Sequence, residues 1–309
     1  MILPPGGGAR ETVSLRLAFR PPLWPDNLFG HLAATAVPGV EEWRDGWYRR
    51  TLRLSHGAGI VALTPQADHI DCRLTLADAR DRSVAVSRCR RMLDLDADPV
   101  AIDDHLCRDP HLAALVRRAP GRRVPGTVDP AEFAVRAVLG QLVSTAAART
   151  HAARLVVAHG EPIDDPAGGL THLFPDPAAL AQLDPASLAL PAARRATLAA
   201  LVAALVSGDL DLGPVTPRDD TRRALARLPG FGSWTIEMIA MRALGDADAF
   251  PGSDLGVIKA ARALGLPSSP AALAAASEPW RPWRAYAVQH LWATGDHAVN
   301  RLPGSRGAS

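Results

Sequence analysis

Hydrophobic and polar side chains alternate at the start of the chain. Val13, Leu15, Leu17 and Phe19 share one face, with Ser14, Arg16 and Ala18 on the other, and a period of two predicts a strand. Asn27 to Val37 then reads as a helix. Further short strands are predicted at Thr51 to Leu54, Gly59 to Leu63 and Ile70 to Leu76, separated by Gly, His and Asp turns, and Ser83 to Leu93 reads as a second helix. Strands with helices on one face make a small α+β layer.

After Pro99 the strand period does not return. Helices are predicted at Pro99 to Cys107 and His111 to Arg117, followed by a loop from Pro120 to Gly126. Asp129 or Pro130 opens a helix through Phe133, Val135, Val138 and Leu139 that ends near Gly140, and a second helix runs to about His159. A polar loop covers residues 160 to 176, and helices follow at Pro177 to Gln182, Pro185 to Ala189 and Ala192 to Ser207. Thr216 is placed to cap a helix ending at Arg227. Leu228-Pro229-Gly230-Phe231-Gly232 forces a tight turn, and an apolar helix starts at Ser233 or Trp234. Helices after Asp254, at Pro270 to Ala276 and from Trp280 to Trp292 complete the pattern.

Composition narrows the class. A chain of 309 residues with a 48% hydrophobic share is long enough for two or three cores. No run of 18 apolar residues occurs, and MILPPGGGARE lacks the basic start and apolar core of a signal peptide, so a cytoplasmic location is expected without a membrane partner. A net charge of +2 does not diagnose nucleic-acid binding, although arginines run together at Arg88, Arg90 and Arg91, at Arg117-Arg118 and at Arg122-Arg123. Cys72, Cys89 and Cys107 have no C-x-x-C spacing, and the His105, Cys107, His111 group lacks a fourth ligand, so neither a disulfide framework nor a metal site is expected there.

The chemistry-bearing stretch is residues 216 to 260. Two glycines in a five-residue turn ahead of a helix N-terminus can present backbone N–H groups to a phosphate. Asp254 follows in Phe250-Pro251-Gly252-Ser253-Asp254, where it is also placed to cap the next helix. By itself the turn reads as an ordinary helical hairpin, Leu142 as a core leucine and each tryptophan as core packing.

Three separated blocks alter that reading. The stretch LPGFG with Asp254 about twenty residues on, the segment AVRAVLGQLVSTAAART, and the block Trp280-Arg-Pro-Trp-Arg-Ala-Tyr-Ala resemble the helix-hairpin-helix DNA glycosylases, and within them the 3-methyladenine DNA glycosylase II (AlkA-type) branch. The resemblance spans about Val13 to Trp292, and WRDGWYRRTL (Trp43 to Leu52) matches the place of the family's N-terminal sheet. It implies an α+β N-terminal domain with a small antiparallel sheet over residues 11 to 98, then a mainly α helix-hairpin-helix glycosylase domain over 99 to 295. That domain would have two helical lobes, 128 to 246 and 99 to 127 plus 247 to 295. Residues 1 to 10 are expected to be disordered, as an ordinary terminus or as the remnant of a linker to an alkyltransferase-type regulator, and residues 296 to 309 to be a frayed tail.

The resemblance also implies roles. Asp254 is the expected catalytic carboxylate, Trp234 and Trp292 the pocket walls, and Leu142 the wedge that fills the space of a flipped nucleotide, with Gln141 beside it. Amides of Gly230, Gly232 and Trp234 are expected to hold the DNA backbone, and the carbonyls of Ala226, Leu228 and Gly230 a structural Na or K ion. No other cofactor is implied, and three scattered cysteines cannot supply the iron–sulfur loop of some relatives. The expected partner is double-stranded DNA carrying alkylated bases, bound by a monomer.

Departures from the family pattern bear on mechanism and substrate. Bifunctional relatives place a Schiff-base lysine where this chain has Trp234, and Lys259, the only lysine in the sequence, lies beyond Asp254, so a monofunctional, hydrolytic enzyme is expected. Met238 and Leu255 stand where the best-known members have aromatic residues, and His31 stands where they have a phenylalanine, which makes a less aromatic pocket. Trp24, Trp43 and Trp47 fall in the N-terminal layer, and Trp280 and Trp283 read as core. Two alternatives remain open: an 8-oxoguanine-type glycosylase and lyase, and a non-catalytic DNA-binding module that keeps the hairpin.

Overall fold

A computed structural model describes residues 10–304. The expected disorder of the first nine residues and the last five of the tail lie outside the described residues. The N-terminal layer is a five-stranded antiparallel sheet of β1 (Glu11–Ala18), β2 (Glu41–Arg44), β3 (Trp47–Leu54), β4 (Gly57–Pro65) and β5 (His69–Leu76), in the order β1-β5-β4-β3-β2. Leu17 pairs with Ile70, Leu15 with Cys72 and Val13 with Leu74, so the apolar sets of β1 and β5 share a face. They meet Ala85, Cys89 and Met92 of α2 (Arg82–Met92), while α1 (Asp26–Thr35) adds Leu28, Phe29 and Leu32 to the same core.

The sequence pattern missed β2 and the first half of β3. Tyr48, Arg49, Arg50, Thr51 and Leu52 are all buried in β3, so no alternation survives. The arginines are tolerated there because each is paired. Arg50 donates to Glu41 at 3.1 Å and to Glu132 at 2.7 Å, and Arg136 donates to both carboxylates at 2.9 Å. Burial alone would raise the Glu41 carboxyl, but Arg136 and Arg50 outweigh it and leave it below its ordinary range. This network ties the sheet to α5 (Pro130–Leu139), the helix that leads into the Gln141-Leu142 bend.

The helical part continues through α3 (Pro99–Leu106), α4 (Ala113–Arg118), α6 (Thr145–His159), α7 (Pro177–Ala181) and α8 (Ala192–Ser207), with the short β6 (Glu161–Pro162) and β7 (His172–Leu173) paired in between. Then come α9 (Arg218–Ala226), α10 (Ser233–Arg242), α11 (Leu255–Ala263), α12 (Pro270–Ala276) and α13 (Arg284–Trp292). One core gathers Val135, Val138, Leu155, Leu201, Leu225 and Ile239; another gathers Ile102, Leu106, Val116, Met241, Val257 and Val288. The helix α10 crosses between them, with Ile239 in the first and Met241 in the second.

Four local expectations need correcting. Thr216 does not cap α9: its hydroxyl donates to Asp211, and Pro217 takes the cap position. Pro185–Ser187 forms one 3₁₀ turn rather than a helix to Ala189. The closing helix begins at Arg284, because Pro282 interrupts the block after a 3₁₀ turn at Glu278–Trp280. Residues 296 to 304 of the tail pack back rather than fraying: Asn300 donates to the Trp292 carbonyl at 3.0 Å, Leu302 joins the sheet core, and Arg301 runs so close to Gly30 that a Cβ there would meet its carbonyl at 2.4 Å.

Candidate active site

Asp254 is the N-cap of α11, and its Oδ1 accepts the Val257 amide at 3.0 Å. The same oxygen accepts the Trp292 indole N–H at 2.8 Å, and Oδ2 accepts the Trp234 indole N–H at 2.9 Å. The two tryptophans come from the start of α10 and the end of α13, so the carboxylate is where three helices converge. Both indoles were expected as pocket walls; they also fix the orientation of the carboxylate. Three N–H donors hold both oxygens while the side chain is still partly open to solvent.

The sequence reading passed over Gly256. A Cβ at this position would lie 3.0 Å from Asp254 Oδ1 and 3.1 Å from Trp292 Cδ1, so the bare backbone lets the indole reach the carboxylate. Met238 lies one turn after Trp234 on α10 and is partly buried, whereas Leu255 is 83% exposed beside Asp254. His31, on α1, is partly buried, and burial followed by the charges of Arg242, Arg136 and His297 holds its imidazole well below the usual histidine range. It is therefore neutral at pH 7. Arg242 was also missed. Its guanidinium lies 5.5 Å from the Trp292 ring centroid, and its signal in the sequence is helical spacing, since 234, 238 and 242 lie on one face.

The hairpin is built as its glycines suggest. Gly230 has φ +78°, and a Cβ there would lie 2.1 Å from Thr197 Oγ1 on α8. Gly232 caps α10 in an extended conformation, and among the described residues nothing lies within 4 Å of a Cβ position and no side chain bonds the cap. The first amides of α10 are thus left without a side-chain cap acceptor. Arg222 clamps the hairpin helices, donating to Glu237 at 2.9 Å and to Asp246 at 2.6 Å, and Glu237 accepts the Phe250 amide at 2.8 Å on the approach to Asp254.

Leu142 stands in the bend between α5 and α6 with φ +56° and its side chain fully exposed. A leucine held in the left-handed region and in solvent does no work for the core. Gln141, the residue expected to reach DNA beside it, donates Nε2 to the Gly230 carbonyl at 3.0 Å and to Thr235 Oγ1 at 3.1 Å. Arg194 holds the Gln141 carbonyl at 2.5 Å. Bend and hairpin are therefore one surface. A groove of about 1560 Å³ lined by Arg91, Asp129, Arg218 and Tyr286 includes none of Asp254, Trp234 or Trp292.

The other candidate ligands are structural. His105 bonds the Pro279 carbonyl and His111 the Leu264 carbonyl, and among the described residues no three His, Cys, Asp or Glu side chains could share a metal ion. Cys72 and Cys89 are buried in the sheet core, where hydrogen bonding to Cys72 and then burial push the Cys89 thiol well up. Lys259 is exposed on α11, beyond the Asp254 cap.

Comparison with known proteins decides the family. The family model of the AlkA N-terminal domain matches residues 14–129. The DNA-3-methyladenine glycosylase 2 of Escherichia coli is 34% identical over 286 residues, covering 90% of this chain and 96% of that protein. The chain belongs to the DNA-3-methyladenine glycosylase II (AlkA) family. The probable bifunctional transcriptional activator/DNA repair enzyme AlkA of Mycobacterium tuberculosis is 59% identical over 94% of this chain, which spans 59% of that AlkA. The fold is shared with the 3-methyladenine DNA glycosylase from Archaeoglobus fulgidus, at a TM-score of 0.77 and 19% identity over 91% of this chain and 97% of that one. In this AlkA-family chain the hairpin position of the lyase lysine holds Trp234, whose indole is engaged with Asp254.

Proposed function

We propose that this chain is a monofunctional DNA glycosylase that flips alkylated bases, of the 3-methyladenine and 7-methylguanine type, out of double-stranded DNA and hydrolyses their N-glycosidic bond. The observation that carries this reading is the carboxylate of Asp254, fixed by both indoles, one of them at the start of α10, whose hairpin N-terminus is bonded through Gln141 to the bend that carries the exposed Leu142. Breaking the bond between C1′ and the base nitrogen leaves its electron pair on the base and positive charge on the sugar. Asp254 stabilises that charge and orients the attacking water, whose proton leaves towards the carboxylate or solvent. With both oxygens already accepting N–H bonds, electrostatic stabilisation is the larger part.

Leu142 supports a wedge role and the uncapped amides of Gly232, Ser233 and Trp234 a phosphate grip. Gln141 acts through the hairpin, by bracing Gly230. The carbonyls of Ala226, Leu228 and Gly230 suit a Na or K ion, because Gly230 keeps one acceptor position beyond its bond from Gln141. A monomer working in the cytoplasm fits this reading, and among the described residues no helix is long and apolar enough to cross a membrane. Incubating the protein with methylated genomic DNA should release 3-methyladenine and 7-methylguanine, identified by mass spectrometry, without a borohydride-trapped adduct. A trapped covalent adduct would favour the lyase alternative, and DNA binding without base release the non-catalytic one.

A further inference from the structure

Arg242, on the far side of Trp292 from Asp254 and at the wall of the separate groove, is an anomaly beside this site. It is 4% exposed, donates Nη1 to the Pro125 carbonyl at 2.8 Å, and leaves Nε without a hydrogen-bond partner among the described residues. Among the described residues no carboxylate offsets it, and burial alone pulls its guanidinium down to about 9, so it remains a cation at pH 7. The buried arginines of the sheet network differ in kind, since Arg50 and Arg136 each face two glutamates. An uncompensated buried charge costs stability and is retained where it acts on something not yet present.

Its surroundings indicate what that is. Arg242 lies on the face of the Trp292 ring, while the edge of that same ring donates to Asp254. One indole thus separates a fixed cation from a fixed anion. Trp234, Met238 and Arg242 form a stripe along α10, with the anion at its first residue and the cation at its last, and the neutral His31 feels Arg242 from α1. When the glycosidic bond breaks, electrons leave C1′ and arrive on the base. A negative charge at the sugar end and a positive one at the base end favour that flow.

We propose that Arg242 is a specificity-determining residue that stabilises negative charge arriving on the departing base, extending the range of the enzyme from cationic to neutral lesions. This rests on the glycosylase reading above. A cationic base such as 7-methylguanine leaves as a neutral molecule and gains little from a nearby cation. A neutral base leaves as an anion, later protonated by solvent, and gains most. The sugar cation is quenched in both cases by water, which loses its proton to solvent.

The test compares full-length wild type with Arg242→Met and Arg242→Lys in single-turnover base release from duplexes carrying one hypoxanthine or one 7-methylguanine. Arg242→Met should slow hypoxanthine release at least about tenfold more than 7-methylguanine release, and Arg242→Lys should keep the wild-type ratio within about threefold. Loss of the Pro125 contact alone would slow both bases alike, and that result overturns the proposal. If Arg242→Met does not fold, Arg242→Gln, which can still donate to Pro125, carries the same comparison. Wild type that releases neither base counts against the glycosylase reading; release of 7-methylguanine without hypoxanthine overturns the role of Arg242 alone.

Discussion

The indole N–H of Trp234 donates to Asp254 Oδ2 at 2.9 Å, across twenty residues of chain, and Trp292 holds the other oxygen at 2.8 Å. Replacing Trp234 with Phe keeps an aromatic wall and removes the donor. Single-turnover base release should fall about tenfold or more, the scale of one hydrogen bond to a charged group, while affinity for duplex DNA stays within about threefold. Trp292→Phe should behave alike. Unchanged release in both variants would mean that the indoles serve only as walls.

Leu142 separates function from fold. Because its side chain is fully exposed at φ +56°, Leu142→Ala should leave the melting temperature within about 2 °C of wild type. Release from a fully paired lesion duplex should fall about tenfold, with a much smaller loss when the lesion lies opposite a gap. Equal losses on the two substrates would exclude a wedge.

The two hairpin glycines should respond differently. At Gly230 a methyl group meets Thr197 Oγ1 at 2.1 Å and the backbone is left-handed, so Gly230→Ala should cost about 2 kcal/mol or more of stability in urea denaturation, with DNA affinity lost as well. At Gly232 a methyl group has open space, and stability should stay within about 0.5 kcal/mol, while the group intrudes on any phosphate approaching the amides and weakens DNA binding.

How much of this was legible in the sequence depended on whether a residue's partner lay nearby in the chain. Strand β1, the capped helices and the LPGFG turn follow from local periodicity and turn chemistry, and the structure forms them at nearly the expected bounds. Strand β3 was half lost because Arg49 and Arg50 look like surface residues until Glu41, Glu132 and Asp165 arrive from elsewhere. The tail looked frayed because Leu302 finds its apolar partners only after the sheet and α1 are assembled. At the site, Asp254 and both tryptophans were singled out by the family resemblance; Arg242 announces itself only by sharing a helix face with Trp234 and Met238, and Gly256 acts through a contact that no spacing rule reports.

Asp94 gives the fold a pH signature. Burial pushes its carboxyl up to about 6 despite the bond from Tyr286 at 2.7 Å. The folded protein therefore binds this proton more tightly than the unfolded chain, and the stabilisation, present in full at low pH, is lost as pH rises to about 6 and beyond. Relative to Asp94→Asn, wild type should lose up to ~3 kcal/mol between the ordinary carboxyl range and neutrality. A flat difference across that range in urea titrations would show that Asp94 is ionised throughout.

The most direct measurement of the whole account is single-turnover release of 7-methylguanine from duplex DNA by wild type and Asp254→Asn, with DNA affinity measured on the same preparations. Asparagine keeps the size and the helix cap but carries no charge to set against the sugar cation. Release should fall by a factor of about 10³ or more while affinity changes less than about threefold. Release within about tenfold of wild type would contradict the assignment of Asp254 as the group on which the chemistry turns.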